Sequence, residues 1–290
     1  MTALNRSPWT YRLGIPLFHV AAIAGLFTAV PTRGALAVGL VLYVIRGFGI
    51  TVGYHRYFTH ESFRTSRPVA FLLAFFGGLA GQGTASWWTY RHRNHHRYTD
   101  RVGDPHSPKV DGFYHAHLGW LFRRSTPEDW EGENTLRNSW PRELRALDRM
   151  IPLLFLAQAP ILYAFGGWTF LVWAYFVPTI VSWHLTFLVN SLCHVAGDRA
   201  FDTADDSRNN VFFAALMFGE GWHNNHHAWP KNATLGLRPL QFDLGYAFIR
   251  SLELCGLVWD VHRKSEAEIR AAVKRYSRAD AEPSVLREVS

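Results

Sequence analysis

Residues 88–100 read WTYRHRNHHRYTD and place His92, His95 and His96 at positions i, i+3 and i+4. On an α-helix those side chains share one face, a turn apart. The same spacing returns at His223, His226 and His227 in GWHNNHH, while HRYFTH carries His55 and His60. Asn190 and His194 in NSLCH make a further i, i+4 pair. Nine of the 15 histidines therefore fall in four short stretches, and the other six are scattered singly. Neutral imidazole is a ligand for first-row transition metals. A closed single-ion site takes only about four ligands, so nine histidines point to two ions in one cage.

The elements that position these residues follow from composition and hydropathy. The chain has 290 residues, 48% hydrophobic and 15% aromatic, with 12 Trp and 21 Phe. Its charged fraction of 18% is below the roughly 25% usual in soluble domains. A mean hydropathy near zero is what apolar spans averaged with polar lobes produce. The net charge of +7 suits an anionic lipid surface or phosphorylated substrate, and no nucleic-acid motif accompanies it. Two cysteines exclude a disulfide scaffold, and Cys193 beside His194 reads as a small buried side chain rather than a thiolate ligand.

Four apolar stretches are each close to the ~20 residues that cross a bilayer: residues 14–31, 35–54, 151–166 and 168–189. Pro-Thr-Arg-Gly at 31–34 and Gly166-Gly167 supply tight turns, which makes two hairpins. Arg46 interrupts the second span, where a charge is costly and needs a partner. Five residues along a regular helix turn about 500°, so His55 and His60 cannot share a face and the helix is expected to end between them. The Gly-rich apolar segment 68–86 must return both its ends to one side, so it is expected to be re-entrant or interfacial. Lys and Arg concentrate before, between and after the hairpins, which puts those regions and both termini in the cytoplasm. The expectation is an all-α integral membrane protein, with four transmembrane helices in two hairpins under a cytosolic helical cap that holds the di-metal centre. Residues 1–262 form a single domain. Residues 263–290 add an amphipathic helix, opened by the capping pair Ser265 and Glu268, and a disordered tail.

The chemistry narrows by elimination. There is no H-E-x-x-H and no Gly-rich nucleotide loop after a strand, and Glu-x-x-His occurs once (Glu220 and His223) rather than as the carboxylate-rich pair of a di-iron bundle. A nitrogen-ligated metal pair beside a membrane suits dioxygen chemistry on an apolar substrate, for which iron serves and zinc is inert. Asp100, Asp104 and Glu220 are available to orient ligand imidazoles.

HRYFTH, HRNHH and HNNHH resemble the three histidine boxes of the membrane fatty acid desaturases, and NSLCH, DPHSP, HLGW and GEGWHNNHH are similar to the acyl-CoA Δ9 (stearoyl-CoA type) branch, in a bacterial-like form without a fused cytochrome domain. The likeness runs from about Tyr43 to Val261, and three boxes in order are far more specific than one. It implies a centre of two Fe2+, with dioxygen as co-substrate, held by His55, His60, His92, His95, His96, His194, His223, His226 and His227, with Asn190 approaching one metal through a water. It also implies a bent acyl tunnel shaped by Gln82, Trp88 and Thr186. His106, His115, His117 and His184 are taken as structural or as supports behind the ligands.

The implied activity is insertion of a cis double bond, Δ9, into a long-chain acyl-CoA, or into an acyl-lipid. Two electrons per turnover then come from a separate ferredoxin- or flavin-type reductase. Arg91, Arg93, Arg97 and Arg101 are expected at the lipid headgroup surface rather than on the donor or on CoA phosphates. The expected location is a bacterial cell membrane. A di-iron hydroxylase of fatty acids or alkanes is the enzymatic rival. A metal transporter is the non-enzymatic one, although transporters hold ligands near the bilayer midplane and these histidines flank polar text.

Overall fold

The computed structural model describes residues 8–281, and side chains over 11–273. These residues are mostly helical, and among them three helical stretches are long and apolar enough to cross a membrane: Tyr11–Thr28, Arg33–Thr59 and Arg142–His194. Helix α1 is Pro8–Thr28. It ends three residues before Pro31, whose preceding residue is biased away from helical backbone. Helix α2, Arg33–Phe48, opens on Thr32, whose hydroxyl accepts from Ala35 N.

Here the structure departs from the sequence reading. The helix does not stop between His55 and His60 but continues as a π-helix over Gly49–Thr59. Its bonds reach five residues back, as from His60 N to His55 O at 3.1 Å. That wider winding stacks residue i+5 over residue i. His55 and His60 therefore share a side, with ring centroids 4.8 Å apart.

Strand β1, Arg64–Thr65, pairs antiparallel with β2, Val258–Trp259. The stretch 68–86 divides into α3, Arg67–Gly78, a turn, and the start of α4, Ala85–Tyr98. Glycines allow close contact between this stretch and the π-helical segment: a Cβ at Gly49 would lie 2.2 Å from Gly77 N, and one at Gly77 would lie 2.5 Å from the Tyr54 ring. Thr84 caps α4 by accepting from Trp87 N. Short helices α5 (Pro108–Asp111) and α6 (Phe113–His117) lead to α7, Pro127–Asn138, which opens on a capping box between Thr126 and Asp129.

Helix α8 is assigned over Arg142–Phe170 but breaks at Gly166 (φ −163°, ψ 28°) and Gly167 (φ 63°, ψ −150°). Beyond the break come a π-helical turn, Leu171–Phe176, and α9, Val177–Ser191. The two sides of the break pack on each other: the Phe155 and Tyr175 rings lie 5.4 Å apart, and the Tyr175 hydroxyl donates to Phe155 O. Arg46 is fully buried in this bundle. It donates to Gln158 Oε1 at 2.6 Å and Thr179 Oγ1 at 3.0 Å and lies over the Tyr175 ring. Neutral acceptors and a π-face surround its charge within the bundle.

The polar remainder contributes α10 (Val211–Leu216), α11 (His223–Ala228), α12 (Leu244–Leu254) and α13 (Glu266–Ala281). Ser265 and Glu268 exchange side-chain-to-backbone bonds at the start of α13. The expected tail beyond residue 281 lies outside the described residues.

Candidate metal centre

Four elements bring the nine clustered histidines together. The π-helical segment supplies His55 and His60, α4 supplies His92, His95 and His96, the 3-10 turn after α9 supplies His194, and α11 supplies His223, His226 and His227. They sort into two groups: His55, His60, His92, His96 and His226, and His95, His194, His223 and His227. Within each group the ligand nitrogens all lie within 4.8 Å of one another. Adjacent residues on one helix thus serve different groups. His95 and His96 point about a third of a turn apart, as do His226 and His227.

Carboxylates set the ring orientations. His95 Nδ1 lies 2.9 Å from Asp104, His194 Nδ1 3.0 Å from Asp100, and His55 Nδ1 2.6 Å from Glu220. These are the three acids singled out from sequence, and all are buried. The fourth was missed: Asp205 Oδ2 lies 3.0 Å from His227 Nδ1. Asp205 comes from an irregular loop, DTADDS, whose several acids look alike in sequence. Only its bonds to Ser207 N (3.0 Å) and Thr203 Oγ1 (3.0 Å) single it out. Glu220 is backed in turn by Arg56 Nη2 at 3.4 Å and by the Thr51 hydroxyl.

A carboxylate accepting from Nδ1–H keeps the ring proton on Nδ1 and leaves Nε2 as a lone pair. His95 and His227 both carry such a carboxylate, and their Nε2 atoms face each other at 3.4 Å. Two lone pairs at that distance suit a shared cation. The donor set therefore fits metal, and the nine residues can hold two ions. Burial, reinforced by neighbouring imidazoles, holds His60, His92, His96, His223, His226 and His227 well below the usual histidine range, so they stay neutral and ligating. Burial pushes Asp100, Asp104, Asp205 and Glu220 up, but it is outweighed. Hydrogen bonds from Ser207 and Thr203 pull Asp205 below its ordinary value, and the paired imidazoles do the same for the other three.

Orienting carboxylates of this kind are worth 10–100-fold in metal affinity. Asp205→Asn keeps the shape but accepts more weakly, and it is expected to weaken retention of one of two metal equivalents by roughly that factor. Metal content against chelator concentration measures this, and retention equal to wild type would remove Asp205 from the site.

Beside the centre lies an apolar cavity of about 210 Å³. Gln82, Trp88 and Thr186 line it together with His92 and Asn190. Gln82 Nε2 donates to Thr186 Oγ1 at 3.0 Å, and the Trp88 ring lies 4.8 Å from that of His92. His106 lines the same cavity, packs 4.4 Å from the His95 ring and is held down to about 3 by burial. The remaining singled-out histidines lie outside the two groups. His115 Nε2 is near Pro105 O, and His117 and His184 bond each other at 2.9 Å. Cys193 is buried against Leu185, Val189, Phe213 and Met217.

The four arginines expected at the headgroup surface divide in two. Arg91 bonds Asp129 and Ser125, and Arg93 donates to the terminal π-helix carbonyls of Phe58 and Thr59, whereas Arg97 and Arg101 are exposed. Unsatisfied carbonyls at a helix end attract such donors.

Comparison with known proteins agrees with this geometry. Residues 31–242 match the model of the fatty acid desaturase family. An acyl-CoA 5-desaturase of Anemone leveillei is 40% identical over 266 residues, covering 88% of this chain and 82% of its own. Delta-9 acyl-lipid desaturase 1 of Arabidopsis thaliana is 40% identical over 249 residues (82% and 79%). An sn-1 stearoyl-lipid 9-desaturase of Anabaena variabilis is 37% identical over 257 residues (87% and 93%). With a metal-competent histidine cage beside an apolar cavity, and relatives of this kind along most of its length, the chain belongs to the fatty acid desaturase family.

Proposed function

We propose that the protein is an oxygen-dependent fatty acyl desaturase that inserts a cis double bond, Δ9, into a long-chain saturated acyl group, using two ferrous ions held by the nine histidines. The observation that carries this reading is the junction at His92 and Asn190, where the histidine cage borders an apolar cavity crossed by the Gln82–Thr186 bond. When bound, the iron pair supplies dioxygen activation and removal of two hydrogens from adjacent methylenes. One O2, two electrons and two protons then yield one alkene and two waters. The electrons come from a separate ferredoxin- or flavin-type reductase.

The chain's own residues position the reacting groups. Asp100, Asp104, Asp205 and Glu220 orient His194, His95, His227 and His55. Asn190, which lines the cavity with His92, would contact one metal through a water. Gln82, Trp88 and Thr186 bend the acyl chain so that one methylene pair lies beside the metals, and such placement is the larger share of catalysis on an unactivated C–H bond. The cavity walls are mostly apolar, as a hydrocarbon chain requires.

Four crossings, in two hairpins, support this site: α1, α2 with its π extension, and the two sides of the Gly166–Gly167 break. That break and the Phe155–Tyr175 packing favour the second hairpin. Helix α3 dips in from the histidine side and returns through α4. The basic segments put that side in the cytoplasm with both termini, and residues 1–262 act as one domain with α13 appended.

The test is expression in a desaturase-deficient host with fatty-acid profiling. A new Δ9 cis-monoene is expected from palmitoyl and stearoyl pools. Hydroxy acids without alkene would instead assign a hydroxylase, and a silent protein with one zinc would favour metal handling.

A further inference from the structure

The cavity beside the metal centre is not walled off from the outside of the helix bundle. Phe18 of α1 and Phe155 of α8 stack at 5.4 Å and close the two helices together. One turn earlier on each helix come Gly14 of α1 and Ile151 and Pro152 of α8, and all three line the cavity. A Cβ built at Gly14 meets nothing within 4 Å. Leu156 lines the cavity and is also 56% exposed, so one wall residue belongs to the outer surface. Leu13 and Leu17 of α1 and Leu153 of α8 are likewise exposed and apolar, as suits a face that meets lipid.

A second, polar cavity shares Tyr11, Trp87, Arg91 and Trp120 with the first and continues to Arg123 and Arg124. A soluble thioester threading from that polar mouth needs no opening on the lipid side. A glycerolipid does need one, because only one of its chains can enter while the other stays in the bilayer.

We propose that the acyl chain enters sideways from the bilayer, still esterified to a membrane glycerolipid, through the gap between α1 and α8 at Gly14 and Pro152. This rests on the desaturase reading and names its substrate class. The chain slides in between Gly14 and Pro152 with its ester near Arg91 and Trp87, and its methylenes run along Ile15 toward Trp88 and Thr186. The Phe18–Phe155 stack bounds the opening on the far side.

The test uses the full-length, iron-loaded enzyme in nanodiscs with a reducing system. One arm carries 1-stearoyl-2-oleoyl phosphatidylglycerol in the disc. The other offers stearoyl-CoA to discs of dioleoyl lipid. Gly14→Trp fills open space at the gap, and Leu17→Trp, on lipid-facing surface outside the cavity, is the control; elution profile and metal content check folding. The expected result is desaturation of the bilayer-borne stearoyl chain, reduced tenfold or more by Gly14→Trp relative to Leu17→Trp, with a smaller loss on stearoyl-CoA. A diazirine-bearing phosphatidylglycerol is expected to label α1 or α8 in wild type and to lose that label in Gly14→Trp. Turnover of stearoyl-CoA alone, equal rates for the two variants, or an equal loss on both substrates, as for a product exit, would overturn the route. Labelling blocked by Gly14→Trp in a protein that desaturates neither substrate would keep the route and remove the desaturase reading.

Discussion

Replacing His95 with alanine is expected to abolish turnover, at least a thousandfold, and to remove one of two bound metal equivalents while the other stays. His95 belongs to the four-histidine group, and its Nε2 faces that of His227 at 3.4 Å. Losing it leaves three imidazoles and frees Asp104, which is buried and holds His95 at 2.9 Å. The other five imidazoles do not depend on it, so their ion persists. His115→Ala is the comparison: its ring contacts Pro105 O outside both groups, and turnover is expected within about threefold of wild type, as for a surface change. Iron quantitation and product analysis on the purified variants measure both. A His95→Ala protein that kept two equivalents, or measurable turnover, would sink the assignment of the cage.

The largest effect on stability is expected at Arg56. Its guanidinium is buried and donates to Asp243 at 2.9 and 3.1 Å, to Glu220 at 3.4 Å and to Ala233 O at 2.9 Å. Asp243 also accepts from Tyr246 N at the start of α12 and from Leu235 N. Arg56→Met leaves two buried carboxylates without their cation, a change that costs about 3–5 kcal/mol and lowers the melting temperature on the order of 10 °C. The damage reaches the metal site, since Glu220 orients His55. Replacing a whole buried pair by apolar residues is often near neutral, so Arg56→Met with Asp243→Leu is expected to recover much of the loss. Thermal unfolding in detergent distinguishes these. A single variant as stable as wild type would show that the ion pair is dispensable.

Arg56 illustrates what could be read in one dimension. In HRYFTH it is one more arginine beside a histidine, and its partner Asp243 is 187 residues away. The histidines were legible because helix geometry is local: i, i+3 and i+4 spacing in HRNHH and HNNHH makes a ligand face in any amphipathic setting. The turn at Gly166–Gly167 was legible for the same reason, since paired glycines tolerate a backbone that other residues avoid. The π winding was not. A register that bonds five residues back is held by contacts from outside, where Gly49 and Gly53 let α3 approach closely.

What the amino-acid order determined by itself was the inventory: nine clustered imidazoles, apolar stretches long enough for a bilayer, and the glycines and prolines that interrupt them. Short-range sterics and hydropathy suffice for these, because each depends on neighbours within a turn or two. The tertiary structure alone decided which histidine belongs to which group of ligands, that Asp205 completes the set of orienting carboxylates, and that a gap beside Gly14 opens the cavity to one side. Those outcomes depend on distances between residues far apart in the chain, and such distances exist only once the helices have packed.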